Sequence, residues 1–193
     1  LNLFMTKEFL GNNDFKISNQ CVSANCPSNI ALIKYWGKYD NQIPANPSIS
    51  YTLNNCKTNT SMDFFADEEF AVQTFLAGNE EKKFAEKIEK YFRNIEQFLP
   101  WILKGKYIIK TENTFPHSSG IASSASGFGA IAKCLMNLYE IFSEKKEEDF
   151  KLQKASFLAR LGSGSACRSL YDGLVVWGET KEVPGSSDLF AVK

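Results

Sequence analysis

A short segment near the end of the chain gathers hydrogen-bond donors that suit an anion. Residues 162–168 read GSGSACR, with two glycines, two hydroxyls and one arginine. Glycine lets the backbone approach a ligand closely, and a guanidinium favours planar, bidentate binding of a carboxylate or phosphate. Taken alone, the segment fits a flexible turn followed by a surface arginine equally well.

Residues 116–125, with the sequence PHSSGIASSA, join a predicted strand to a predicted buried helix. Small residues admit a ligand to the backbone, and a helix start offers free N–H groups at the positive end of the helix dipole. This pattern favours a phosphate site. Tight helix packing without any ligand explains the same composition.

Residues 29–38, NIALIKYWGK, place Lys34 and Lys38 around the aromatic pair Tyr35 and Trp36. Two cations beside aromatic rings suit an anionic substrate, although a lysine at a strand end is usually only solvated. Other chemistries are excluded, since neither G-x-x-x-x-G-K-S/T nor G-x-S-x-G occurs. His117 is the single histidine, so we expect no histidine-based metal site and no hydrolase triad.

The elements that must position these segments follow from hydrophobic periodicity. Extended patterns precede helical ones, which predicts an α+β fold with an antiparallel sheet rather than alternating βαβ units. The predicted strands cover residues 20–26, 29–36, 48–54, 57–65, 70–76, 107–112 and 173–178. The predicted helices cover residues 80–99, 123–142 and 150–161.

Composition excludes several classes of protein. The 193 residues carry 22 basic and 22 acidic side chains, so we expect no nucleic-acid partner. With 44% hydrophobic and 13% aromatic residues the chain can form a core, yet no apolar run reaches the ~20 residues that span a membrane. Five cysteines without a C-x-x-C pair predict reduced thiols and a cytoplasmic protein.

Taken together, the three segments resemble one family. NIALIKYWGKYD followed by PANPSIS, FPHSSGIASSASGFGAIAK, and GSGSACRSLYDG before a strand with Trp177 resemble the diphosphomevalonate decarboxylases. That family lies within the superfamily of galactokinase, homoserine kinase, mevalonate kinase and phosphomevalonate kinase. The resemblance covers residues 21–178 and implies an α+β domain like domain 2 of ribosomal protein S5.

The resemblance also implies an activity: ATP and Mg²⁺ would drive the decarboxylation of mevalonate 5-diphosphate to isopentenyl diphosphate. By the same resemblance, Arg168 would grip the substrate carboxylate with Asn29 beside it, and Lys38 would act with them. The residues implied to hold the substrate are Tyr35, Lys38, Ser163, Gly164, Ser165 and Arg168. The ATP site would be formed by Asn113, Gly120, Ala122, Ser123 and Ser124, with Ser124 facing the transferred phosphoryl.

Two departures from the family pattern affect these expectations. His117-Ser118-Ser119 stands where relatives carry Thr-Ala-Ala, and Pro47-Ser48 where they carry Ser-Ser, which bears on fine substrate choice. The family's catalytic aspartate belongs to a C-terminal domain, so we expect it outside this chain, and Asp188 lies too early to replace it.

We therefore expect an N-terminal extension over residues 1–19, the binding domain over 20–180, and the start of a connection to an absent C-terminal domain over 181–193. A homodimer is a further expectation. Two alternatives remain open: a superfamily small-molecule kinase that does not decarboxylate, and a non-catalytic module that binds phosphate compounds.

Overall fold

The computed structural model describes residues 6–11, 14–116, 122–144 and 148–193. Its framework is a pair of long antiparallel strands, β1 (Gln20–Ile33) and a later strand that begins at Ser48. The chain between them forms a small hairpin of β2 (Lys38–Tyr39) and β3 (Ile43–Pro44). That hairpin carries Lys38, one of the predicted site residues.

The strand β4 (Ser48–Ala66) is continuous, whereas the sequence pattern predicted two strands over 48–54 and 57–65. The break between them is a register irregularity, since Pro27 pairs with Lys57 while Ser28 pairs with Leu53. Residues 54–56 bulge at this point without ending the strand. Strand β1 likewise joins the two predicted segments 20–26 and 29–36 into one.

The next elements are β5 (Ala71–Leu76), β6 (Asn79–Glu80), helix α1 (Lys82–Ile95) and β7 (Gly105–Asn113). Strand β5 pairs with β7 in parallel, so the expectation of a wholly antiparallel sheet was wrong here. The reason is α1, which crosses over between the two strands and brings the chain back in the same direction.

Two further helices, α2 (Ser123–Ser143) and α3 (Glu148–Gly162), precede β8 (Leu174–Trp177) and β9 (Ala191–Val192). The sheet order is β6-β5-β7-β4-β8-β9, and β1 lies along the other edge of β4. The N-terminal end of β4 pairs with β8 and its C-terminal half with β7. The fold is therefore a mixed α/β layer, as expected.

The core lies between the sheet and the helices. Helix α1 buries only one stripe, which includes Ile88, Phe92 and Ile95, whereas α2 is buried around most of its surface. Aromatic rings fill the space beneath them, with Phe64 meeting Tyr107 at 5.0 Å and Phe142 at 5.3 Å between ring centroids. The periodicity that predicted one surface helix and one buried helix is confirmed.

Both ends of the described chain pack onto this core. Phe9 is fully buried and stacks on Phe157 at 4.3 Å. Leu189 is buried in the same core, while Ala191 of β9 is buried in a smaller cluster with Val175 and Trp177. The segments that we assigned to an extension and to a connection therefore contribute to the same core.

The cysteines are all free thiols. Cys26, Cys134 and Cys167 are buried, and burial raises the pKa of each to about 12. Among the described residues, no helix combines the length and apolar character needed to cross a bilayer.

Candidate anion-binding site

The first half of the site lies where α2 begins. Ser123 and Ser124 are the first two residues of that helix, and Ala122 before them adopts a left-handed backbone with φ of 29°. The first N–H groups of a helix have no acceptor within it, and they point along the positive end of the dipole. Gly120, which the resemblance placed in the ATP site, lies outside the described residues, as does His117.

A cavity of about 250 Å³ opens beside this helix start. Its walls include Phe84, Lys87, Asn113, Ser123, Ser124 and Phe128. Thr58 donates to Asn113 Oδ1 at 2.7 Å, which fixes the amide at the cavity wall. The cavity combines aromatic surface for a flat apolar group with a lysine and helix N–H groups for negative charge.

The second half of the site follows α3. Residues Gly164–Leu170 form a 3-10 helix, where the sequence predicted only a glycine-rich turn. A Cβ on Gly162 would lie 2.1 Å from the Phe128 ring, and one on Gly164 would lie 2.8 Å from the Trp177 ring. Both positions need glycine because neighbouring rings occupy the space of a side chain.

The two halves meet at their serines. Ser124 Oγ lies 3.5 Å from Ser163 Oγ, so the start of α2 faces the start of the 3-10 helix. A ligand held at one of these segments is therefore adjacent to a ligand held at the other.

Arg168 is a deeply buried cation of this region, with 2% of its surface exposed. Its Nη1 donates to Ser48 Oγ and its Nη2 to Asn29 Oδ1 at 3.4 Å, while Nε finds no acceptor within the described part of the chain. Burial lowers the pKa of the guanidinium, which still remains charged at neutral pH. A buried cation with an unused donor is costly, and an incoming anion would relieve that cost.

Aromatic rings and Asn29 hold this guanidinium in place. Its Cζ lies 5.7 Å from the ring centroid of Tyr35 and 5.8 Å from that of Trp177. Asn29 Nδ2 donates to Ser169 Oγ at 2.7 Å and to the Ser165 carbonyl at 3.1 Å, which fixes its Oδ1 toward the arginine.

Lys38 supplies a second positive charge at the same place. The side chain is exposed, and its Nζ donates to Gln42 Oε1 and lies 5.9 Å from the Tyr35 ring centroid. A Cβ on Gly164 would lie 3.2 Å from Lys38 Cδ. Arg168, Lys38 and the 3-10 helix thus surround one location.

The structure brings together most of the residues predicted from the three segments. It also adds two that the sequence analysis missed as site residues: Ser48, which had been noted only within a motif, and Gln42, which carried no signal.

Asp188 lies elsewhere, and its Oδ1 accepts the Glu179 N–H at 2.8 Å. A larger groove of about 640 Å³ crosses the outer sheet face, but none of the three predicted segments lines it.

A mixed α/β domain that presents a helix start with serines to a glycine-flanked loop and a buried arginine has the donors that suit anionic ligands. Residues 26–191 match the diphosphomevalonate decarboxylase-like N-terminal domain. The chain therefore belongs to the diphosphomevalonate decarboxylase-like family.

Individual relatives agree with this assignment. The chain is 38% identical to the diphosphomevalonate decarboxylase of Candida albicans over 89% of its own length and 49% of the relative. The crystal structure of the Staphylococcus aureus mevalonate diphosphate decarboxylase superposes with a TM-score of 0.71 at 36% identity, covering 90% of this chain and 50% of that one.

A second solved enzyme, from Enterococcus faecalis, also gives a TM-score of 0.71, at 31% identity over 91% of this chain and 51% of that chain. Its structure is described as showing an ATP binding mechanism mediated by mevalonate diphosphate. The chain spans about half the length of the relatives that it matches.

Proposed function

We propose that this chain is the ligand-binding N-terminal domain of an ATP-dependent decarboxylase that converts mevalonate 5-diphosphate to isopentenyl diphosphate, ADP, phosphate and CO₂. The observation that carries the proposal is Arg168, which is buried at 2% exposure with an unpartnered Nε and lies, like Lys38, near the Tyr35 ring. A substrate with a carboxylate at one end and a diphosphate at the other would use both of these cations.

The substrate would be held from both ends. The guanidinium would bind the carboxylate through N–H groups that Ser48 and Asn29 do not engage, while these two side chains keep its orientation. Lys38 and the first N–H groups of the 3-10 helix would neutralise the diphosphate. The Tyr35 ring centroid lies 5.9 Å from Lys38 Nζ and 5.7 Å from Arg168 Cζ. Such a site binds and orients, and it needs no nucleophile of its own.

The cavity at the start of α2 fits ATP. Its aromatic wall suits the base, and Ser123, Ser124 and the helix N–H groups suit the phosphates. ATP supplies the phosphoryl group for the 3-hydroxyl, and Mg²⁺ would be held mainly through the nucleotide phosphates. A related solved structure contains MVAPP, AMPPCP and magnesium, which supports this pairing of ligands. The Ser124–Ser163 contact makes the transfer distance between the two sites short.

The test is to incubate the chain with ATP, Mg²⁺ and mevalonate 5-diphosphate, while measuring ligand binding by calorimetry and assaying ADP and CO₂. Saturable binding of both ligands supports the proposal, and release of CO₂ with ADP in equal amounts supports it further. Formation of ADP without CO₂ would favour a small-molecule kinase instead. Absence of mevalonate 5-diphosphate binding would overturn the proposal.

A further inference from the structure

A second buried arginine lies one element away from the site. Arg160, in α3, is fully buried, and no acidic side chain of the described residues forms an ion pair with it. Its Nε donates to the Leu189 carbonyl at 2.6 Å and its Nη1 to the Asn41 carbonyl. The guanidinium therefore bridges two separate segments, the C-terminal segment and the β2–β3 hairpin.

The turn that Arg160 contacts is strained. Asn41 and Gln42 both have left-handed backbones, with φ of 56° and 61°. Asparagine tolerates this region, whereas glutamine adopts it seldom, and such a conformation persists only when neighbouring contacts enforce it. The bond from Arg160 to the Asn41 carbonyl is a contact of this kind.

The same turn supports Lys38. Gln42 Oε1 accepts the hydrogen bond from Lys38 Nζ, and a Cβ on Gly164 would lie 3.2 Å from that oxygen. Arg160 thus donates to the backbone of the turn, and Lys38 donates to Gln42 of the same turn, beside the start of the 3-10 helix.

We propose that Arg160 is a positioning residue for the substrate anion: it holds the strained turn at residues 40–42 so that Gln42 keeps Lys38 over Gly164. This inference rests on the proposed function, because it assigns Lys38 to the substrate diphosphate. An exposed lysine samples many rotamers, and an anchored turn lowers the ordering cost at binding. A purely structural arginine would affect unfolding alone.

The test uses Arg160→Lys, which keeps the charge but places its donors on one nitrogen that cannot bridge both carbonyls. Arg93→Lys, at an exposed position of α1, is the matched control. Calorimetry would measure mevalonate 5-diphosphate affinity in each variant, in Lys38→Met, and in the Lys38→Met/Arg160→Lys double variant. We expect Arg160→Lys to weaken binding about tenfold, with no further loss in the Lys38→Met background, since coupled residues give non-additive effects.

The inference would be overturned if Arg160→Lys lowered the affinity for mevalonate 5-diphosphate equally in the unaltered and Lys38→Met backgrounds. Unchanged affinity in a folded Arg160→Lys protein would also overturn it. If Arg160→Lys does not fold, Arg160→Gln, which buries no charge, serves in the same comparison.

Hydrogen exchange at residues 38–44 provides a readout without ligand. We expect the amides there to exchange about tenfold faster in the Arg160 variants than in the unaltered chain. In Arg93→Lys the exchange rate should not change. If the unaltered chain binds no mevalonate 5-diphosphate, the proposed function fails, and exchange at the hairpin still decides whether Arg160 holds the turn.

Discussion

Arg168 combines burial with an unused donor, and this combination makes its role testable by ligand choice. Ser48 and Asn29 each accept one of its five N–H groups, so the orientation of the guanidinium does not depend on a ligand. We assign the remaining donors to the substrate carboxylate, which mevalonate 5-diphosphate has and isopentenyl diphosphate lacks.

We therefore expect Arg168→Lys to weaken mevalonate 5-diphosphate binding by about tenfold or more, roughly 1.4 kcal/mol, because an ammonium cannot replace the planar guanidinium. Binding of isopentenyl diphosphate should change much less. Calorimetry with both ligands measures the difference, and Arg93→Lys is the control. An equal loss for the two ligands would contradict the carboxylate assignment.

Lys154 is a buried cation outside the site. It is fully buried, its Nζ has no hydrogen-bond partner within the described residues, and it lies 4.4 Å from the Tyr139 ring centroid. Burial lowers its pKa from 10.5 to about 8. Below pH 8 the folded protein must hold a buried ammonium, whereas above it the folded lysine is neutral and the unfolded one stays protonated up to about pH 10.5.

The contribution of Lys154 to the free energy of unfolding should therefore increase as the pH rises from 8 to 10.5, the window between the folded and unfolded pKa values, because only the unfolded lysine is protonated there. We expect Lys154→Met to be more stable than the unaltered protein at pH 7, by up to about 3 kcal/mol, and the difference to shrink by pH 10. Urea unfolding at both pH values measures this, with the exposed Lys90→Met as the control. A difference that stays constant with pH would contradict the assignment.

At the scale of elements, periodicity predicted the helices and most strands because each depends on local burial. It placed α1 and α2 correctly as surface and buried helices. It divided β4 in two at residues 55–56, and pairing with β1 on one side and with β7 and β8 on the other makes the strand continuous.

The site was predictable to a similar extent. Motifs indicated Arg168, Lys38 and the serines of α2, since glycine, serine and cationic residues cluster in sequence. Gln42 and Lys87 approach the site only through tertiary packing, so no local pattern could have indicated them. The homodimer and the cytoplasmic location stay predictions.

The close contact of α3 with α2 gives a prediction for the helices. A Cβ on Gly162 would overlap the Phe128 ring, whereas one on Gly127, in α2, would meet no atom within 4 Å. We expect Gly162→Ala to lose about 2 kcal/mol of stability and Gly127→Ala to gain about 0.5–1 kcal/mol. Denaturant unfolding of the pair measures both, and similar losses in the two variants would contradict the packing argument.

At the scale of the whole molecule, neither the net charge nor the average exposure describes what individual groups do. The 22 cations and 22 anions cancel, so anion binding would depend on a few residues and not on a positively charged surface. The cysteines also differ in exposure: Cys26, Cys134 and Cys167 are buried, while Cys21 is exposed.

We expect a thiol reagent at pH 8 to modify Cys21 in the native protein and to leave these three cysteines unmodified. Burial keeps their pKa at about 12, and reactivity requires an accessible thiolate. A hydrogen bond to Asp63 raises the pKa of Cys21, so its labelling should be slow but complete. Mass spectrometry before and after urea unfolding counts the modified sites, and labelling of Cys167 in the native state would contradict the core assignment.

The continuity of β4 limits where relatives can gain or lose residues within this strand. Ser48 supports Arg168 and Thr58 supports Asn113, and both are buried on the same face of one strand. Side chains alternate between the two faces of a regular strand, so adding or removing one residue within the paired stretches on either side of 54–56 would turn one of the two supports outward. Residues 54–56 have no partner in β1, and a bulge can absorb a change in length. Relatives should therefore vary in length at 54–56 and keep the length of the paired stretches constant.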